Sequence, residues 1–368
     1  MIMLEIFEET IKSIKKNQLC VVATVVKTKG SAPQKAGAKM LVRQDGSTVG
    51  TLGGGCVEGD IWYQAKEILD KKQGPLFRRY KLNEEMAARD GLVCGGTMHF
   101  FIEPAYPGDE FLSIAEKVIN AYSGDQPLSI ATIVNSRSPK FILGSKMLVL
   151  EDGSCQNRFD DETAVSKIRK IGQKLCTFGE NEFLRLEGGT EVFIEGFTTA
   201  PALIIMGGGH VGKTVSSLAA GLGFQVIIVD DREEYANPER FPEAQQTIVA
   251  DFVEGISNLK ISANTYILIA TRGHRFDDLA TEAAIHSPAR YIGLLGSKRK
   301  SLMIFKNLLK KGLPIDRIKE IRAPVGLNIG ALTPRELAVS IMAEIIAIRR
   351  GGSGGFMKMD MERIKEKG

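Results

Sequence analysis

The 368-residue chain has no apolar run long enough to span a bilayer. It has no C-x-x-C pair among its five cysteines, and no excess of either charge: 48 Lys and Arg face 44 Asp and Glu, a net of +4. The missing apolar run excludes a helical membrane span. Scattered cysteines, odd in number, argue against a disulfide framework or a structural zinc site and fit reduced thiols. Balanced charge leaves no footprint for nucleic acid or a membrane surface. The opening stretch, MIMLEIFEETIKSIKK, reads as an amphipathic charged helix rather than a signal peptide. A cytoplasmic protein of two or three domains is expected.

The stretch that organises the rest is Ala202 to Arg232. Ala202–Met206 is a short apolar run, as in a buried parallel strand. Gly207-Gly208-Gly209-His210-Val211-Gly212 follows and fits G-x-G-x-x-G. A helical pattern runs to Leu222, then a second apolar strand ends at Asp230-Asp231. In a Rossmann unit Gly207 makes the tight turn, Gly209 lets backbone approach a pyrophosphate, and Gly212 lets helix and strand pack closely. Asp230 stands where an acid takes ribose hydroxyls, and Arg232 blurs the choice between NAD and NADP. The other reading is a Rossmann turn that binds nothing, or a different anion.

Upstream, short motifs recur. ATVV at 23–26 returns as ATIV at 131–134, and KMLV at 39–42 returns at 146–149. GGT at 95–97 with FIE at 101–103 returns as GGT at 188–190 with FIE at 193–195. Residues 1–198 therefore read as one α+β domain of two similar β-rich halves. Residues 199–350 read as an α/β, Rossmann-like, doubly wound parallel sheet, and 351–368 as a flexible tail. GTLGGGCVEGD at 50–60 has no counterpart in the second half, and Glu187 stands where the first half has Cys94. What only one half carries is the better candidate for chemistry.

Gly53-Gly54-Gly55 precede Cys56 at a helix start expected near Val57, with Glu58 close by. That environment favours a thiolate, which can ligate a soft metal or carry sulfur. Cys94, before Gly95-Gly96, is a second candidate; the alternative for both is a small buried hydrophobe. Cys20, Cys155 and Cys176 read as structural. In the second domain five stretches fall at the carboxyl ends of strands: 207–210, 230–232, 271–277, 293–300 and 324–330. Ser297 is a good N-cap, and Lys298, Arg299 and Lys300 then sit in a first helical turn, where the dipole disfavours cations. They face an anionic ligand, or else form a solvated basic face. His274 is a candidate phosphate donor or acid–base group, or else a cap. His210 is a weaker candidate of the same kind, and His286 reads as structural.

Taken together, GSAPQKAGAKMLV, GTLGGGCVEGD, GLVCGGTMHFFIEP, GGGHVG with DDR, YIGLLGSKRK and PVGLNIGALTPRELAVSIMAEI resemble the XdhC/CoxI family. The resemblance covers residues from about 10 to 350, in the family's order. It implies a maturation factor for molybdenum hydroxylases such as xanthine dehydrogenase. Such a factor binds molybdenum cofactor (molybdopterin), protects it, assists its sulfuration and delivers it to the apo-enzyme, with little or no turnover of its own. It also implies Gly53, Gly54, Gly55, Cys56, Glu58, Cys94, Gly207, Gly209, His210, Gly212, Asp230, Arg232, His274, Ser297, Lys298 and Arg299 as cofactor-binding positions, with Cys56 at the molybdenum. The apo-hydroxylase and a cysteine desulfurase are the partners implied. A homodimer is expected separately, since two glycine-rich sites per chain could meet across subunits. TRGH at 271–274 departs from the Thr-His-Asp-His of many members. Two other readings stay open: an NAD(P)-dependent oxidoreductase, and a crevice holding a nucleotide only for structure or regulation.

Overall fold

The structure is a computed structural model that describes residues 2–81, 96–108, 110–156 and 159–357. The chain divides into two compact units, Met1–Thr199 and Ala200–Gly368.

The first unit is built twice. α1 (Ile2–Lys15), β1 (Cys20–Lys29), β2 (Lys39–Arg43), β3 (Thr48–Gly50), α2 (Gly55–Lys71), β4 (Leu76–Lys81) and β5 (Thr97–Ala105) make one half. α3 (Glu110–Tyr122), β6 (Leu128–Asn135), β7 (Lys146–Leu150), β8 (Cys155–Gln156), α4 (Glu162–Phe178), β9 (Asn181–Arg185) and β10 (Glu191–Phe197) make the other. Both sheets are antiparallel and share one strand order, β3-β2-β1-β5-β4 and β8-β7-β6-β10-β9. Even an irregularity recurs: β1 skips Val26 in its register with β5, and β6 skips Val134 with β10. The internal repeat seen in the motifs is a repeated fold.

Alternation along the strands sorts the faces. Val21, Ala23 and Val25 of β1 pack on Ile61, Ala65 and Ile68 of α2. Ala131 and Ile133 of β6 meet Val165 and Ile168 of α4 in the same way. The opposite faces look at each other: Val26, Val134, Phe101 and Phe193 form one cluster there. Beside it, Ile6 of α1 and Ile114 of α3 fill the space between the sheets.

The second unit runs β11 (Ala202–Met206), α5 (His210–Gly221), β12 (Gln225–Asp230), β13 (Gln246–Val249), α6 (Phe252–Ser257), β14 (Thr265–Ile269), α7 (His274–Ile285), β15 (Tyr291–Leu294), α8 (Lys298–Lys310), α9 (Ile315–Glu320) and α10 (Pro334–Arg350). All strand pairs are parallel, in the order β13-β12-β11-β14-β15. Leu203–Met206 are buried on both faces, which is why the run reads as continuous rather than alternating. α5 and α10 cover one face, and α6, α7 and α8 the other. The sheet is doubly wound, as expected. The strand anticipated near Ile321 is only a single bridge, Gly293 to Arg322. Pro324, two residues on, has no N–H to extend that ladder. The six-residue helices α6 and α9 were not anticipated.

Candidate functional site

Gly53, Gly54 and Gly55 take φ of +113°, +72° and +73°, a region that side chains oppose. A Cβ on Gly53 would stand 2.7 Å from Pro33 Cβ, whereas one on Gly54 would meet nothing within 4 Å. The loop is thus pressed on one side against the GSAPQ segment and open on the other. Gly96 is pressed against that segment too: a Cβ there would lie 2.2 Å from the Ser31 carbonyl oxygen. α2 begins at Gly55, two residues earlier than expected, so Cys56 is its second residue. The thiol is exposed, beside the N–H groups of a first turn.

Glu58 anchors this loop. Its Oε2 accepts from Thr51 Oγ1 at 2.7 Å, Leu52 N at 2.6 Å and Gly54 N at 3.0 Å. Burial pushes the carboxyl up, but the Thr51 hydroxyl and the Gly54, Leu52 and Gly53 amides outweigh it and hold the pKa below its ordinary value. Cys94 lies outside the described residues. Cys20 and Cys176 are buried, with thiols pushed up to about 12 and about 11, chiefly by desolvation. Among the described residues no group of three or more His, Cys, Asp or Glu is placed to hold a metal. No described helix is long and apolar enough to cross a membrane.

In the second unit the other candidates gather at the carboxyl edge of the parallel sheet. Gly209 caps α5 and faces open space; His210 follows, exposed. Gly207 turns at φ +122°, and a Cβ on Gly212 would stand 2.1 Å from the Gly207 carbonyl oxygen. Gly208 between them is closed in. Its N–H donates to Asp230 Oδ2 at 2.9 Å, and its carbonyl accepts from Arg240 Nε at 2.9 Å. A Cβ on it would overlap the Tyr235 carbonyl. Asp230 is 1% exposed. Its Oδ1 accepts from Arg232 Nε at 2.9 Å, and its Oδ2 from Arg232 Nη2 at 3.1 Å. Arg232 in turn stacks on Tyr235, 3.6 Å from the ring centre. The carboxylate that the sequence offers to a ribose is engaged within the chain.

His274 opens α7, and its side chain lies outside the described residues. Thr271 Oγ1 donates to buried Asp277 at 2.7 Å, and Lys300 pairs with the same carboxylate. Lys300, one of the three bases at the start of α8, is thereby accounted for. Ser297 caps the helix by accepting from Lys300 N at 3.2 Å. Lys298 and Arg299 are exposed.

Four charged residues of the repeat were not among the expected site residues. Lys39 Nζ donates to Thr24 Oγ1 at 3.1 Å and to Glu195 Oε2 at 2.8 Å. Lys146 Nζ donates to Thr132 Oγ1 at 3.1 Å and lies 2.7 Å from Glu103 Oε2. The signal was present in the repeated KMLV and FIE. A cleft of about 280 Å³ opens beside the second pair, between Pro75, Tyr106, Phe111 and Gly144.

Known proteins are similar to this chain. A family model for the XdhC Rossmann domain matches residues 203–345, and one for the XdhC and CoxI family matches 13–81. A Bacillus subtilis protein, named as a probable xanthine dehydrogenase subunit, is 30% identical over 332 residues, 90% of this chain and 93% of its own. The chain belongs to the XdhC and CoxI family. YqeB of Escherichia coli is 28% identical over 96% of the chain, which spans 48% of that relative's length. The E. coli molybdenum cofactor insertion chaperone PaoD is 23% identical over 92% of this chain and 86% of its own. A solved Bacillus halodurans structure, described as a xanthine dehydrogenase, superposes with a TM-score of 0.68. It is 26% identical and covers 95% of this chain and 96% of its own.

Proposed function

We propose that this XdhC-family protein is an accessory factor of a xanthine dehydrogenase-type molybdenum hydroxylase. It binds molybdenum cofactor, protects it, assists its sulfuration and delivers it to the apo-enzyme. The carrying observation is the exposed thiol of Cys56 at the head of α2, reached past Gly54, whose missing Cβ leaves open space. A thiolate is the soft donor that a molybdenum centre accepts, so the residues present fit the group. Bound, the cofactor supplies the metal centre that the hydroxylase later uses. Cys56 would hold the metal, while Gly53 to Gly55 keep side chains out of its way and Glu58 fixes the loop. In the second unit the α5 N-terminus, with Gly207, Gly209, Gly212 and His210, is an anion site of ordinary kind. Behind the Ser297 cap, Lys298 and Arg299 add two cations at the same edge of the sheet. A cysteine desulfurase as sulfur source and a homodimer belong to the same reading.

The names carried by PaoD and by the Bacillus subtilis relative support this reading. An NAD-dependent oxidoreductase would use Asp230 for a ribose, and Gly208 and Arg232 already engage that carboxylate. The test is binding of isolated molybdenum cofactor to wild type and to Cys56→Ala. Tight binding that the substitution weakens is expected. No binding by either, with saturable NADH or NADPH binding, would overturn the proposal.

A further inference from the structure

α8 carries a surface that the crevice uses only at Arg299. Its thirteen residues, KRKSLMIFKNLLK, include five bases and no acid. Ile304 and Leu308 are buried and pin its inner side to the unit. On the other side Arg299, Leu302, Lys306 and Leu309 follow at spacings of three, four and three, which lines them along one seam of a helix. Leu302 is 60% exposed and Leu309 is 44% exposed. The ion pairs near this helix are Lys300 to Asp277 and Lys311 to Glu282. Arg299, Lys306 and Lys310 have none among the described residues.

A face meant only for water mixes both signs and carries few leucines. A site for nucleic acid or lipid headgroups gathers bases, yet the whole chain carries a net charge of only +4. Basic and apolar positions that alternate along one seam have a specific complement. It is a helix with acids opposite Arg299 and Lys306 and apolar side chains between them. We infer that the outer seam of α8 docks an acidic, apolar-striped helix of a partner protein. Resting on the accessory reading above, that partner is the apo-hydroxylase. The first turn of α8 follows β15 at the carboxyl edge of the sheet, so a helix laid along the seam ends beside the crevice.

The test uses the full chain and the purified apo-hydroxylase of the same organism, with binding followed by interferometry. Leu302→Asp, Leu309→Asp and Lys306→Glu are each expected to weaken binding about tenfold or more. Wild-type affinity should fall as salt rises. Thermal melts and retained binding of isolated molybdenum cofactor show that the variants are folded. Folded variants that bind the hydroxylase as tightly as wild type overturn the proposal. So does a wild type that ignores the hydroxylase but binds phosphatidylserine vesicles or duplex DNA through the same residues. A wild type that binds neither cofactor nor hydroxylase overturns the accessory reading and this one with it. One that binds cofactor but not hydroxylase overturns the docking surface alone.

Discussion

Lys39 of β2 and Glu195 of β10 form a largely buried ion pair, Nζ to Oε2 at 2.8 Å, across the boundary between the two halves of the first unit. Lys146 and Glu103 form its mirror, each residue standing in the opposite half. Each lysine also takes the threonine opposite it in its own sheet, Thr24 or Thr132. The halves therefore hold each other by exchange, and neither pair exists inside one half alone.

A buried pair stabilises little over an apolar replacement, but a lone buried charge is costly. Lys39→Met should therefore destabilise by about 3–5 kcal/mol, and Lys39→Met with Glu195→Leu by much less. Urea unfolding of both single variants and the double variant measures this. Losses that simply add would mean that the two side chains are not coupled.

Much of this was legible in the chain. KMLV and FIE recur because each strand must present the same inward lysine or glutamate, and G-x-G-x-x-G with its flanking apolar runs marks the parallel sheet. What motifs could not supply was partnership across distance. Lys39 and Glu195 are 156 residues apart, and no local pattern says that one half's lysine takes the other's glutamate. The resemblance implies Glu58 as a cofactor-binding position, and the place of Asp230 at a strand tip points to a ribose. In the fold, Glu58 Oε2 and both Asp230 oxygens accept from backbone amides and neighbouring side chains.

The lowered pKa of Glu58 makes the glycine loop sensitive to acid. A carboxylate whose folded pKa is depressed adds stability that is present above its ordinary value of 4.5. That stability is lost as pH falls through the lowered value. Hydrogen exchange at the Leu52 and Gly54 amides should accelerate as pH falls from about 5 toward the lowered pKa, beyond the ordinary acid dependence of exchange. Glu58→Gln should show fast exchange throughout and lose about 1–2 kcal/mol of loop stability. Amides equally protected in both proteins would remove Glu58 as the anchor.

The cysteines should separate by reactivity. Burial lifts the Cys20 and Cys176 thiols to about 12 and about 11, so neither offers much thiolate at neutral pH. Cys56 is exposed at the head of a helix. Brief iodoacetamide treatment at neutral pH, read by peptide mass spectrometry, should mark Cys56 well before Cys20 or Cys176. Bound molybdenum cofactor should then slow the labelling of Cys56. Equal labelling with and without cofactor would place the cofactor elsewhere.

Asp230 stands at the strand tip where a Rossmann crevice would read a ribose. Its oxygens accept from Gly208 N and from two Arg232 nitrogens, and hydrogen bonds to a charged group contribute about 1.5–3 kcal/mol each. Asp230→Asn keeps the shape and loses the charge, so the melting temperature should fall. Any NADH affinity, measured by fluorescence, should stay within about twofold of wild type, because no ribose contact is lost. An acid that held a ribose diol would behave differently. Its amide would cost about tenfold or more in NADH affinity, since one charge-assisted bond is worth at least that. The two outcomes separate a carboxylate that clamps Arg232 against the fingerprint loop from one that reads a nucleotide.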